Sequence, residues 1–345
     1  MSVREINAPA ANTPVYWLVF GLKGILMVRN YNKMELASAL QKAIRRSEPD
    51  FALFWALALI EENRSEFAFY RMRVIMHEDI GIADIAALQF ADSCLNLSQK
   101  KCADSCGEIS AFGQALADAL LALCRARKTR LADEFQIVAR NRRNKGIRPQ
   151  DSEKHFSNAR PRTQNGYGLN SVKQALKESL ANGGEEEAMF WALELLSSPW
   201  ETTFYETIDH LVHIMPEGVS RDVVQISLLD TIKWRRLKKD AYYLSLANTI
   251  LGISRCGTSL NYSAFISNDF AAQRLLRHIC NVRSIWRPDI PDHALDMHTR
   301  RGRKAGRGMA HFLTGGATRL NNEAQQESYL KYRQEAYGIW LGGGK

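Results

Sequence analysis

The stretch HEDIGIAD, residues 77–84, places a histidine, a glutamate and two aspartates within eight positions. Such a group could bind a metal ion, act as an acid–base pair, or end a helix. Consecutive side chains on a helix point about 100° apart, so the histidine and the two acids after it cannot all face one ion. A zinc-protease helix would also need a second histidine. We therefore expect the acids to bond to backbone or to a basic side chain such as Arg71 or Arg73, fixing a corner between two helices.

Other side chains with metal-binding or catalytic chemistry are isolated in the sequence. Cys102 and Cys106 lie one helical turn apart, and His210 and His213 are three positions apart, but no further ligands follow at the spacing of a zinc site. The sequence has neither a GxxxxGK[ST] phosphate loop nor a GxSxG nucleophile motif. We therefore expect no enzymatic activity, no metal and no cofactor, and free thiols in a reducing cytoplasm.

The positive charge is concentrated in one part of the chain. The net charge is +9, and residues 125–162 hold twelve Lys and Arg against four Asp and Glu, which places +8 in this segment. Such an excess favours a polyanion, most often nucleic acid, because cations release the counterions of phosphates without reading bases. The alternative is a solvated charged face. The candidate contacts in RARKTR and ARNRRNKGIR are Arg125, Arg127, Lys128, Arg130, Arg140, Arg142, Arg143, Lys145 and Arg148.

Two further clusters could contact a nucleic acid. KWRRLKKD, residues 233–240, places a tryptophan among cations, where it could stack on an unpaired base or anchor a basic helix in the core. HTRRGRKAGRG, residues 298–308, combines cations with glycines that let backbone amides approach phosphates; the alternative is a loop ordered by binding. No zinc-finger, basic-zipper or recognition-helix pattern occurs, which favours single-stranded or non-specific binding. The candidates are Trp234, Arg235, Arg236, Arg300, Arg301, Arg303, Lys304 and Arg307.

Apolar residues recur at three- and four-residue spacing along most of the chain, which predicts a mainly α-helical fold. At an offset of 136 residues, ALFWALALIEENRSEFAFYRMRVIMH (52–77) aligns without a gap with AMFWALELLSSPWETTFYETIDHLVH (188–213). The shared Phe-Trp-Ala-Leu and terminal histidine indicate an internal duplication, and therefore two related helical units.

These patterns divide the chain into five segments. Aromatic and β-branched residues around GLKG, in Val15–Val28, predict a short β-hairpin, and the Gly, Pro, Asn and Ser of 144–170 are typical of a solvated linker. No stretch reaches the roughly 18 apolar residues of a membrane helix. The segments are 1–33 with the hairpin, 34–126 as first helical unit, 127–169 as basic linker, 170–285 as second helical unit, and 286–345 as basic glycine-containing tail with a C-terminal helix.

Residues 52–88 resemble the C-terminal helical region of the RarA/MgsA-type AAA+ ATPases, which are related to clamp loaders. In that family a helix with an aromatic–Trp–Leu core precedes a helix ending in a Ser-Glu-Asp-(Ile/Val)-Gly-x-Ala-Asp-like corner. The residues that match that corner are Glu78, Asp79, Ile80, Gly81, Ala83 and Asp84, whereas His77 stands where the family has a small residue. Residues 293–313 are more weakly similar to a late glycine-rich stretch. The resemblance implies an oligomerisation collar without catalytic residues, here without the ATPase motor.

Together these features predict a non-enzymatic single-stranded-DNA-binding accessory protein of replication, recombination or transcription, which binds largely without sequence specificity. RNA is the alternative ligand. We expect a viral, phage-encoded protein of the host cytoplasm that forms homo-oligomers, serves a polymerase or other replication or transcription protein, and does not bind membranes. The competing interpretation is a protein-interaction scaffold that recruits a polymerase or helicase and uses its basic surface for acidic partners.

Overall fold

The computed structural model describes residues 31–158, 160–197, 199–214, 219–237, 240–255, 269–282, 288–321, 323–324 and 327–342. Most of these residues are helical, which confirms the predicted mainly α-helical fold. The hairpin predicted at Val15–Val28 lies outside the described residues; within them there are isolated β-bridges but no β-strand. No helix in these ranges is long and apolar enough to cross a lipid bilayer.

Fifteen α-helices occur in the described residues. The first six, α1–α6, are Lys33–Arg45, Pro49–Leu59, Ser65–Ile75, Ile85–Asp104, Ile109–Arg125 and Leu131–Asn144. The next six, α7–α12, are Leu169–Ala181, Glu185–Leu196, Glu201–Ile214, Val219–Arg236, Tyr242–Ser254 and Asp269–Val282. The last three, α13–α15, are Arg300–Lys304, Met309–Thr314 and Glu327–Gly342.

The first six helices recur as the next six at the offset of 136 residues. After this shift α1 and α7 have identical bounds, and α2–α6 start within three residues of α8–α12. The residue that ends the turn after α1, Ser47 with φ 60°, corresponds to Gly183 with φ 70° after α7. The repeat seen in the sequence is therefore also a repeat of local backbone structure.

The same aromatic cluster lies at the start of each unit. In both copies a tyrosine and a phenylalanine meet the face or edge of a buried tryptophan at right angles, which is a preferred arrangement of aromatic rings. The Tyr–Trp centroids are 5.6 and 5.2 Å apart in the two units, and the Phe–Trp centroids are 4.8 and 4.9 Å apart. The residues are Tyr31, Phe54 and Trp55 in the first unit and Tyr167, Phe190 and Trp191 in the second.

The sixth helix of each unit packs on the other unit. Helix α6 contacts α8 and α11, whereas α12 contacts α2 and α5. Because α2 and α5 are the counterparts of α8 and α11, the two exchanges are equivalent. The first hydrophobic core is thus completed by the twelfth helix, and the second core by the sixth.

Residues 127–169 are therefore not a linker, contrary to the division made from the sequence. Leu131, Phe135 and Val138 recur at helical spacing and are buried in the second core. The charged segment therefore contains an amphipathic helix, α6, whose apolar side chains alternate with charged ones. On α12, Leu275 and Ile279 occupy the matching place in the first core.

The described residues of the C-terminal region, 288–321, 323–324 and 327–342, fold onto the two units rather than extending as a tail. Lys42 of α1 forms a buried ion pair with Asp296 at 2.5 Å. Helix α15 packs against α6, where the rings of Phe135 and Tyr332 meet edge-on with centroids 5.1 Å apart. The C-terminal region therefore bridges a helix of each core.

The packing of α12 on the first core can be tested by Ile279→Ala. Ile279 is fully buried, so truncation leaves a cavity and should lower the free energy of unfolding by about 2–5 kcal/mol. Urea denaturation followed by circular dichroism measures this change. Gln273→Ala, at an exposed position of the same helix, is the control and should change it by less than about 0.5 kcal/mol. Equal stability of the two variants would contradict this packing.

Candidate nucleic-acid interface

The acids of the 77–84 corner are held by an arginine of α1. Arg45 donates from Nε to Asp79 Oδ1 at 2.8 Å and from Nη2 to Glu78 Oε1 at 2.6 Å. Gln41 Nε2 donates to the other oxygen of Asp79 at 2.9 Å. Both carboxylates are thus paired within the protein, and the corner is a structural junction, as expected.

The basic partner differs from those expected. Arg73 instead pairs with Asp92 of α4, and Arg71 donates to a glutamine of α1. Although burial alone raises the pKa of Glu78, Arg45 and neighbouring guanidinium groups hold that pKa at about 2. Glu78 therefore remains ionised near neutral pH and is unsuited to donate or accept protons there.

The histidine of the corner joins the two units. His77 is fully buried, with Nε2 3.0 Å from Asp230 Oδ2 of α10, and its carbonyl oxygen accepts a hydrogen bond from Asn248 Nδ2 of α11 at 2.9 Å. Gly81, at φ 48°, allows this approach, because a Cβ there would lie 2.3 Å from Asn248 Oδ1. Among the described residues, no group of three or more His, Cys, Asp or Glu side chains could hold a metal ion.

Removing the arginine of the corner tests its structural role. Arg45→Met would leave two carboxylates without their cation in a largely buried place, so it should lower the free energy of unfolding by about 3–5 kcal/mol. Chemical denaturation at neutral pH measures the loss. Arg125→Met, at an exposed arginine, is the matched control and should change stability by less than about 0.5 kcal/mol. A loss no larger than that of the control would show that the corner does not depend on this ion pair.

Two of the candidate DNA contacts are buried. Lys128 donates from Nζ to the carbonyl oxygens of Cys124 and Ala126, at 2.8 and 3.0 Å, and Arg130 pairs with Asp133. Both cations are therefore enclosed and have partners inside the protein, and they cannot reach a phosphate in this structure. Their prediction as nucleic-acid contacts is wrong, because a local count of charge does not reveal which cations are enclosed.

Arg125, the last residue of α5, and Arg127, two positions later, differ in environment. The side chain of Arg125 is exposed to solvent. Arg127 is half-buried, and its backbone N–H donates to Asp84 Oδ2 at 3.0 Å. The other oxygen of Asp84 accepts a hydrogen bond from the backbone of Ala87 and caps α4. This turn therefore completes the corner, and Arg125 alone of the pair is fully available to a ligand.

Arg142 and Arg143 tie other elements to α6. Arg142 donates from Nε to Glu335 of α15 at 2.9 Å and also pairs with Glu186 of α8. Arg143 donates from Nη2 to Glu194 Oε1 of α8 at 2.9 Å. Both remain partly accessible, but their charges are already balanced by acids distant in the sequence. They can add to a positive surface only as members of ion pairs.

Two predicted cationic segments meet across a pair of tyrosines. The guanidinium of Arg140, on α6, lies 3.8 Å from the ring centroid of Tyr243, whose own centroid is 3.9 Å from that of Tyr242. The guanidinium of Arg235, on α10, lies 5.1 Å from the Tyr242 ring and donates to the carbonyl oxygen of Leu196. The exchange of α6 thus places the two segments on one surface of the second unit.

Trp234 is a core residue and not a stacking platform. Its side chain is 1% exposed, and it meets the rings of His77 and Tyr70 edge-on at 5.3 and 5.8 Å. Of the two roles considered for this tryptophan, the structure shows the helix anchor. Arg236, two residues later, is exposed beside it.

Residues 145–158 and 160–168 form a loop attached to α8. Asn165 Nδ2 donates to Glu194 Oε1 at 2.7 Å, the same carboxylate that binds Arg143. Tyr167 is buried in the second core. The end of the loop is anchored in this way, and its lysine and arginine side chains are exposed to solvent.

Five cations of this loop are exposed and have no acidic partner among the described residues. We call them the loop face. Sequence reasoning singled out the first two, while the other three contributed to the charge excess but lay in the segment interpreted as a linker. The residues of the loop face are Lys145, Arg148, Lys154, Arg160 and Arg162.

The C-terminal cations are partly engaged in holding their own region. Arg301 pairs with Glu35 of α1 at 2.9 Å, and Arg307 pairs with Asp292 at 2.5 Å. Gly302 serves close packing, since a Cβ there would lie 1.9 Å from a backbone oxygen. This region is therefore folded, and not a flexible glycine loop. The remaining candidates, which are exposed, are Arg300, Arg303 and Lys304.

One comparison with known proteins finds a match to most of the first six-helix unit, including its corner. Residues 46–160 match the family described as MgsA AAA+ ATPase C terminal. The match confirms the resemblance predicted from residues 52–88 and spans about a third of the chain, from the end of α1 to the loop face. No curated protein and no solved structure matches the chain. The first unit is thus similar to the C-terminal helical region of a clamp-loader-like AAA+ family.

Helix α15, which lies outside the matched residues 46–160, covers a carboxyl group of α6. Glu134 is fully buried, with Oε1 3.4 Å from Nε of Arg333. Burial raises the pKa of Glu134 to about 7, and Arg333 and Arg130 only partly oppose it. The folded state therefore binds this proton more tightly than the unfolded chain does.

This carboxyl should make stability depend on pH. The protonated Glu134 carboxyl stabilises the folded state fully at pH values below its ordinary pKa near 4.5, and this stabilisation is lost as pH rises through about 7. The free energy of unfolding should therefore fall between these two pH values. Glu134→Gln cannot release the proton and should show a flatter profile in urea denaturation at pH 5, 6, 7 and 8. Parallel profiles of the variant and the unsubstituted protein would contradict the assignment.

Proposed function

We propose that this protein is a non-enzymatic accessory protein of replication, recombination or transcription that binds single-stranded DNA without strong sequence specificity. The observation that carries the proposal is the loop face: five exposed cations without acidic partners on an anchored loop. The match of the first unit to a clamp-loader-like family supports a role beside nucleic-acid machinery.

The arrangement of the cations supports phosphate contacts rather than base reading. Arginine and lysine side chains on a loop can follow a flexible backbone, and they gain free energy from the release of counterions whatever the sequence. Tyr243, stacked against Arg140 at the same unit, adds an aromatic surface of the kind that accompanies such contacts in single-strand sites. The cations of the loop face lie outside the α-helices, whereas duplex-reading modules place their base-contacting side chains along a helix.

The second candidate function is a scaffold that recruits a polymerase or helicase. Exposed leucines favour it: on α10 the side chain of Leu229 is 65% exposed, and that of Leu237, eight positions later and just past the helix end, is 54% exposed. Burying apolar side chains of this size against another protein is favourable, whereas contact with phosphates does not bury them. The loop face would then bind an acidic surface of that partner.

Binding of fluorescently labelled 30-nucleotide single strands and the matching duplex, between about 50 and 200 mM salt, tests the proposal. We expect binding of the single strand to weaken steeply with salt. Replacing Lys145, Lys154 and Arg160 with Gln should make the slope of log K against log salt shallower by about 2, because each phosphate that is no longer neutralised reduces the slope by about 0.7.

A triple variant at Lys100, Lys101 and Arg277 provides the control, because it removes the same charge from exposed positions elsewhere. Its salt slope should stay close to that of the unsubstituted protein. Absence of binding to either form of DNA at about 50 mM salt would reject the proposal. Equal decreases in slope for both triple variants would show that net charge, and not the loop face, determines binding.

A further inference from the structure

A small cavity lies beside the loop face, between α6, α8, α15 and residues 147–150. Its volume is about 190 Å³. Aromatic and aliphatic side chains form its walls, including Phe135, Ala139, Phe190 and Tyr332. An apolar cavity of about 150 Å³ holds benzene, so this space suits a single six-membered ring with its substituents rather than a larger ligand.

The cavity is lined in part by an exposed arginine and an exposed isoleucine. Arg148 lines it, is exposed, and has no acidic partner among the described residues. Ile147, also in the lining, is 52% exposed, and the neighbouring Phe156 is 42% exposed with the Arg148 guanidinium 5.4 Å from its ring centroid. Apolar side chains exposed next to a free arginine provide contacts for a flat ring and for the phosphate attached to it.

Polar groups of the lining add chemical selectivity. Glu187, at the start of α8, is exposed, and its carboxylate accepts no hydrogen bond within the part of the chain that the structure describes. Gln150, also in the lining, offers both a donor and an acceptor. A carboxylate accepts a hydrogen bond from the N4 amino group of cytosine, whereas the O4 of thymine can only repel it.

We infer that this cavity binds one unstacked base of the DNA strand and prefers cytosine to thymine. The inference rests on the proposed function and adds a base preference to it. Arg148 contacts the adjoining phosphate, the apolar walls enclose the pyrimidine ring, and Glu187 accepts the N4 amino group. Arg142, which is neutralised by Glu186 and Glu335, contributes a wall and little net charge.

Competition between oligo(dC) and oligo(dT) of 20 nucleotides, measured by fluorescence anisotropy, tests the inference. Oligo(dC) should bind about five-fold more tightly, the effect of one hydrogen bond to a base. Ala139→Leu fills the cavity and should abolish this difference, while leaving oligo(dT) affinity within about two-fold, since no cation is removed. Glu187→Gln, at an exposed side chain, should also abolish the preference for oligo(dC). This variant tests the inference if Ala139→Leu does not fold.

Arg148→Gln and Arg277→Gln each remove one exposed arginine, and only the first should weaken binding of oligo(dC) more than that of oligo(dT).

Equal affinity of the unsubstituted protein for both oligonucleotides, or a preference that survives Glu187→Gln, would overturn the inference while leaving the proposed function standing. Binding of neither oligonucleotide would overturn the proposed function itself. Binding of free dCMP that Ala139→Leu removes, without any change for oligo(dC), would assign the cavity to a mononucleotide and overturn the inference.

Discussion

The exchange of the sixth helices is the packing constraint on which the structure depends. Helix α6 leaves the first unit to complete the second core, and α12 returns from the second unit to complete the first. Each core therefore includes a helix that belongs to the other unit. Because hydrophobic burial supplies most of the stabilisation of a fold, this exchange joins the two units more firmly than surface contacts would. It also places the charged end of α6 beside α8, α11 and α15.

Burial of charge follows from that packing. An arginine or lysine enclosed by helices must find acids or carbonyl oxygens, because an unpaired buried charge costs several kcal/mol. Arg45 and Lys42 meet this requirement on α1, with carboxylates of the corner and of the C-terminal region. Lys128 does so with the carbonyl oxygens at the end of α5. The basic segment is therefore divided between cations that hold the fold and cations that face water.

This division marks what the sequence could and could not predict. Helical periodicity, the offset of 136 residues and the corner motif are local or repeated patterns, and they predicted the helical fold and the resemblance of residues 46–160 to the MgsA C-terminal region. The partners of Arg45 and Arg142 lie 33 and 193 positions away, so no local pattern contained them. The place of Trp234 likewise depends on His77, which is far from it in the chain. The charge density of the sequence identified the segment rich in cations, but it could not distinguish the exposed cations from the buried ones.

The two copies of the unit differ in what they have kept. Both retain the tyrosine, phenylalanine and tryptophan that order the start of the unit. In the first copy Glu78 and Asp79 follow the shared histidine, pair with Arg45 and sit beside the C-terminal region, which packs on α1. In the second copy the residues after His213 are Ile214 and Met215, so that ionic junction has no counterpart in the sequence. The loop face and the Arg140–Tyr243 stack lie on the second copy instead. One copy thus carries the structural junction, and the other carries the exposed cations that a polyanion would meet.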